Sequence, residues 1–158
     1  MVSNLISKAS ADVMRILVIE EGEDLEGMSL AQIAIEHAAS NGMDRFSEAE
    51  PLILQKPGCV YNYACQVLKC RWPEGEQVIL ASAKSGNVCD LHLAYEYVRD
   101  VIVGPWPEAE EALMEDPYYA VFYPKLLEWF EATDRGEFLL FCEPGRETFL
   151  AKLPADQS

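Results

Sequence analysis

A degenerate repeat is the feature that most limits what this chain can fold into. Three segments share one pattern: Arg45-Phe46-Ser47-Glu48-Ala49-Glu50, Arg71-Trp72-Pro73-Glu74-Gly75-Glu76 and Pro105-Trp106-Pro107-Glu108-Ala109-Glu110. Their aromatic residues lie 26 and then 34 positions apart. A second set of anchors gives the same register. Tyr63, Val67 and Leu68 precede Trp72 by 9, 5 and 4 residues, and Tyr97, Val101 and Ile102 precede Trp106 by the same offsets. Residues 54–57 match residues 114–117, 60 positions on, which is the total of the two aromatic spacings. The longer second period places its eight extra residues in a surface loop within 81–88, where Ser, Lys, Gly and Asn gather.

Each unit has a physical logic. An aromatic residue closes one connection. Pro, or Ser47 in the first copy, then stands where a helix begins, a position at which a missing N–H costs nothing. Acidic residues follow in the first turn, where the helix dipole is positive. The short helices are expected to run to residues 55, 81 and 115, each followed by a turn and a longer helix. Apolar residues at three- and four-residue spacing predict the longer helices over 59–69, 90–103 and 117–130. Pro124 inside the last predicts a kink or a later start. Upstream, 29–39 reads as a helix with Ser29 as N-cap and Gly42 as stop. The stretch 13–19 fits a helix through Ile6, Ala9, Val13 and Leu17, or a buried strand through its run of aliphatics; the helix is favoured. At the C-terminal side, apolar runs flank Glu143-Pro144-Gly145-Arg146, which suits a type II turn and predicts a β-hairpin over 137–153 that covers the last helix. The expectation is one domain over 1–158. It is mainly α, an irregular array of short helical hairpin repeats over 29–127, with the C-terminal β-hairpin as an end cap.

The phrase Tyr-x-x-x-Val-(Leu/Ile)-x-x-x-Trp-Pro-Glu-(Ala/Gly)-Glu, carried by 63–76 and 97–110, resembles a "YAxxVIxGRWPEAE" tandem repeat of uncharacterised tailed-bacteriophage proteins. The resemblance departs at Phe46, where Ser47 replaces Pro, and at Trp129-Phe130, which fall out of register. It implies a helical array and a phage origin, and it implies no activity.

Charge narrows the function classes. Twelve Lys and Arg face 27 Asp and Glu, a formal net charge of −15. Nucleic-acid backbones and anionic membranes need a positive surface, so neither is an expected partner. An acidic surface suits a basic protein partner and leaves open a nucleic-acid mimic. No run is long and apolar enough to span a bilayer. Five cysteines, an odd number, with no basic-then-apolar leader, predict a reducing cytoplasm with buried thiols.

The chemistry-bearing residues are few. The pairs Glu48/Glu50, Glu74/Glu76 and Glu108/Glu110 can in principle do acid–base work or hold a metal. A Glu-x-Glu pair on a helix points to different faces, however, and its recurrence marks helix starts. Cys89 and His92 at i, i+3 are the one Cys–His pairing on a helix. Cys59, Cys65 and Cys70 do not match zinc-ligand spacing. His37 reads as a surface residue. Phosphate-cradling, nucleophile-elbow and zincin motifs are missing. No cofactor and no metal is expected.

Trp72 and Trp106, at one place in the repeat, read as packing wedges. The dense aromatic stretch after residue 117 exceeds what one buried helix face needs. The expected partner-binding residues are therefore Tyr118, Tyr119 and Trp129, with the carboxylates Glu108, Glu111, Glu115 and Asp116. The leading expectation is a non-enzymatic protein-binding module, a phage-encoded acidic inhibitor of a host protein. The alternatives are a self-assembling structural or scaffold protein, which would be a homo-oligomer, and a cysteine-dependent enzyme or metal protein.

Overall fold

The computed structural model describes residues 2–17 and 28–132. Among these the chain is mainly helical. The helices are α1 (Val2–Leu17), α2 (Leu30–Ser40), α3 (Glu50–Ile53), α4 (Pro57–Tyr63), α5 (Pro73–Ala83), α6 (Val88–Tyr97), α7 (Pro107–Glu115) and α8 (Tyr119–Ala132). The chain divides into two compact units, Met1–Leu68 with Trp72–Ile79, and Lys69–Arg71 with Leu80–Ser158. The β-hairpin expected over 137–153 lies outside the described residues. No helix among them is long and apolar enough to cross a membrane.

In the first unit, α1 packs on α2 and α3, and α2 packs on α3 and α4. The stretch from residue 13 is helical through Leu17, with Ala9 and Val13 buried one turn apart. Residues 18 and 19 lie outside the description. Ser29 caps α2 as expected, its hydroxyl accepting the Gln32 N–H at 3.4 Å. Ala31, Ala34, Ile35 and Ala38 form the buried stripe, and the three alanines let neighbouring helices approach closely. Gly42 stops the helix at φ +63°, in the left-handed region that glycine tolerates.

The start of α3 corrects one expectation. Ser47 does not open a helix; 47–49 form a turn, and α3 begins at Glu50. Pro51 is the cause. It has no N–H to give the Ser47 carbonyl, which takes the Glu50 N–H at 3.3 Å instead, whereas the equivalent Glu110 N–H in the third copy closes an α bond to Trp106 at 3.1 Å.

In the second unit α7 packs on both α6 and α8. Asn87 caps α6 by accepting the Cys89 N–H. The inserted loop shrinks to Lys84–Asn87, because α5 extends to Ala83. Pro117 stays outside α8. The Asp116 carboxylate accepts the N–H groups of Tyr118 and Tyr119 at 2.9 and 3.2 Å, so the helix starts at Tyr119. Pro124 lies inside α8 and does not set its start, which the Asp116 cap fixes two residues after the expected 117.

The longer helices of the first two copies do not end as plain α-helices. α4 passes into a π-helical turn, Ala64–Leu68, and α6 into another, Val98–Ile102, at matching repeat positions. Val103 donates its N–H to the Val98 carbonyl five residues back, at 2.8 Å. Lys69 and Val103 follow with φ of +51° each. A β-branched residue rarely adopts that conformation, and its recurrence 34 residues after Lys69 marks a built-in turn.

Candidate functional site

The repeat builds its inner face around a tyrosine. Tyr63 accepts the buried backbone N–H of Phe46 at 2.6 Å, and Tyr123 accepts that of Trp106 at 3.0 Å, each pair 17 residues apart. A buried N–H without a partner is costly, so these phenols hold the aromatic residue that opens each unit. Trp72 lies edge-on to Tyr63, with ring centroids 5.2 Å apart, and Trp106 lies against Tyr97 at 5.4 Å. Both indoles are buried. In the first copy the network extends: Tyr63 donates to Glu50 at 3.2 Å, and Arg45 grips Glu50 through two bonds of 2.6 and 2.9 Å. Burial, with Glu50 adding to it, pushes the Tyr63 phenol up to about 12.

With Tyr63, Tyr97 and Tyr123 taken as equivalent positions, the outward faces can be compared. Five, two and one residues before the tyrosine, and two after it, stand Gly58, Tyr61, Asn62 and Cys65 in the first copy. The second carries His92, Tyr95, Glu96 and Arg99, and the third Tyr118, Val121, Phe122 and Lys125. The inner face repeats and this outer one does not. The Tyr118 and Phe122 positions hold Gly58 and Asn62 in the first copy and His92 and Glu96 in the second, so a phenol or phenyl ring at those two positions is not a requirement of the fold.

That third face is exposed. Tyr118 is 60 % exposed, Val121 50 % and Phe122 39 %. The Tyr118 and Phe122 rings lie tilted against each other with centroids 4.4 Å apart, and the Lys125 ammonium sits over Phe122, 5.8 Å from its centroid. Trp129, also 39 % exposed, continues the stripe one turn on and lies 5.7 Å from Phe130.

Tyr119 corrects the sequence reading. It is buried, because it falls on the inner face of α8 beside Tyr123 and Leu126. Its hydroxyl lies 3.1 Å from His92 Nδ1 and its ring 5.5 Å from Tyr95. Of the expected carboxylates, Glu108, Glu111 and Glu115 are exposed along one stripe of α7, at i, i+3 and i+7. Asp116 is committed to capping α8. Phe122 belongs to the aromatic stretch read from the sequence, whereas Val121 and Lys125 were missed. The signal was present in the register, at positions the other copies fill with unrelated residue types.

The polar face of the second copy is tied up internally. His92 Nε2 lies 3.5 Å from Glu96, and Arg99 pairs with Asp100 at 2.6 Å and Glu96 at 3.6 Å. The His92 nitrogens thus face Tyr119 and Glu96. Glu76 is buried and Glu50 largely so, whereas Glu74, Glu108 and Glu110 are exposed, so each pair splits between environments or stays in solvent. No group of three metal-capable side chains occurs among the described residues. Cys59 is buried, while Cys70 and Cys89 are exposed and Cys65 lies between. The expectation of uniformly buried thiols is corrected, because Cys70 and Cys89 sit next to turns. Cys142 lies outside the described residues.

No protein-family model, curated protein or solved structure matches this chain.

Proposed function

We propose that this chain is a non-enzymatic protein-binding module that engages a basic partner through the outer face of α8. The observation that carries the reading is the exposed Tyr118–Val121–Phe122 strip, which the fold does not require and which lies in a strongly acidic setting. Residues 107–132 hold seven carboxylates and one cation. Aromatic groups with an acidic surround favour a partner that is basic at its rim and apolar at its centre. The three carboxylates along α7 rise about 4.5 and 6 Å apart. Strand phosphates rise about 3.4 Å apart, so this stripe supports a local acidic rim better than a phosphate ladder. The resemblance of the repeat to tailed-phage proteins supports a phage-encoded inhibitor of a host protein, acting in the bacterial cytoplasm.

The test is affinity capture from a bacterial lysate at low and moderate salt, with wild type beside a Tyr118→Ser/Phe122→Ser variant. The expected result is a basic protein held by wild type, lost from the variant and weakened by salt. Capture indifferent to both substitutions would move the function elsewhere. A self-assembling scaffold is the competing reading, and light scattering measures it; each copy carries −15, so a monomer is the expected result.

A further inference from the structure

We infer that the outer face of α8 is a docking strip for an arginine-bearing amphipathic segment of a partner protein, with Lys125 occupying the cation position that the partner's arginine would take. The inference rests on the protein-binding reading and specifies its partner. Its starting point is a contact already made within the chain. The Lys125 ammonium lies 5.8 Å from the centroid of Phe122, within the range at which a cation is drawn to an aromatic face. Phe122 lies tilted against Tyr118, with ring centroids 4.4 Å apart, so the cation site has two adjoining rings. The same helix therefore demonstrates the chemistry that this surface accepts.

The choice of guanidinium follows from the chemistry of the two cations. A planar, weakly hydrated guanidinium stacks on exposed rings better than a compact, strongly hydrated ammonium does. Val121 lies one residue before Phe122 and half exposed, which leaves room for an apolar side chain of the same segment beside the stacked cation. Exposed carboxylates stand on the same helix and on its packing neighbour. Glu128 follows Val121 by seven residues, on the same side of α8, and Glu108, Glu111 and Glu115 line α7, which packs on α8.

Charge selects among the occupants. A second copy brings −15 to a surface that is itself acidic. The chain's own residues 133–158 carry five carboxylates and three cations, again a net negative segment. A basic segment of another protein is the complementary occupant. Lys125 then has two effects on binding. It covers the ring that the partner needs, and its charge repels the partner's cations.

The experiment uses the full chain and two fluorescently labelled amphipathic model peptides, identical except that all cations are arginine in one and lysine in the other. Anisotropy titrations are run on wild type, Lys125→Gln and Tyr118→Ser. The arginine peptide is expected to bind about two- to fivefold tighter than the lysine peptide. Lys125→Gln should tighten the arginine peptide by a similar factor, about two- to fivefold, and Tyr118→Ser should weaken it about fivefold or more. Equal binding of the two peptides, or a Lys125→Gln variant that binds no tighter, overturns the inference. If the lysate partner is still lost from the Tyr118→Ser/Phe122→Ser variant in that case, the module reading stands and only the arginine assignment falls. If neither peptide binds and no captured protein depends on the strip, both fall. A dimer abolished by Tyr118→Ser, or carbodiimide cross-links from Lys125 into 133–158 in the free protein, makes the occupant this chain itself and also overturns the inference.

Discussion

The first and third repeats share an inner plan and differ in what they show to solvent. In both, a tyrosine on the longer helix accepts the N–H of an aromatic residue 17 positions earlier. The first copy then closes the arrangement with Glu50 and Arg45, and its outer positions are Gly58, Tyr61, Asn62 and Cys65. The third leaves Glu110 exposed and places Tyr118, Val121, Phe122 and Lys125 outside. The contrast separates two demands on the sequence. Whatever recurs is needed to bury the helices. Tyr118 and Phe122 stand where the other copies carry no phenol or phenyl ring, so they are not needed for that, and under the proposed function they are the rings offered to a partner.

The largest test of this contrast sets the inner face against the outer. Trp106→Ala should cost about 3–5 kcal/mol in urea unfolding, because it empties a fully enclosed site. Tyr118→Ser should stay within about 0.5 kcal/mol, as a surface change. A Tyr118→Ser variant as damaged as Trp106→Ala would place that ring in the core and remove the basis of the docking strip.

The second test compares the two tyrosine clamps. Tyr63→Phe and Tyr123→Phe each remove the acceptor of a buried N–H, at a cost of about 1–3 kcal/mol. Tyr63→Phe should be the more costly, since it also takes a donor from Glu50. Equal losses in equilibrium unfolding would mean that the Glu50–Arg45 extension adds nothing, as exposed ion pairs often do not.

A third comparison concerns one small residue. Gly75 occupies the place of Ala109, which is fully buried. A Cβ on Gly75 would lie 2.5 Å from both the Trp72 ring and Val60. Gly75→Ala should therefore destabilise by about 1–2 kcal/mol, although alanine is the better helix former, because overpacking outweighs propensity. A thermal shift upward would show that Trp72 moves aside freely.

The smallest effect is on pH dependence. The Tyr63 phenol is pushed up to about 12 from 10.0, mainly by burial. Between those values the folded state keeps a proton that the unfolded state has lost. The contribution is therefore complete below pH 10 and falls away as pH rises through about 12. Burial raises Tyr123 as well, so the trend has the same sign in both copies. Urea midpoints at pH 9 and 11 should fall less in Tyr63→Phe than in wild type. An identical drop would assign the alkaline loss to other groups.

Part of the winding was legible and was overlooked. Residues 59, 60, 63, 64, 67 and 68 are buried in pairs at a strict spacing of four. An α-helix turns once in 3.6 residues, so such pairs drift off one face unless the helix unwinds. The π-helical turn at Ala64–Leu68 supplies that unwinding. Tyr119 was misplaced for a related reason. Its neighbour Tyr118 is chemically identical, and only the phase of α8, set by the Asp116 cap and the Tyr123 clamp, decides which ring turns inward.

The sequence by itself determined the repeat, its register, the helix starts at Pro73 and Pro107, the caps at Ser29 and Gly42, and the acidic balance. These are local or compositional properties, read from proline geometry, side-chain capping and charge. Only the tertiary structure decided which aromatics are spent on packing and which face solvent, that Tyr63 and Tyr123 serve backbone groups 17 residues away, and that Lys125 covers Phe122. Those outcomes depend on helix phase and on contacts between distant residues, which spacing along the chain does not encode.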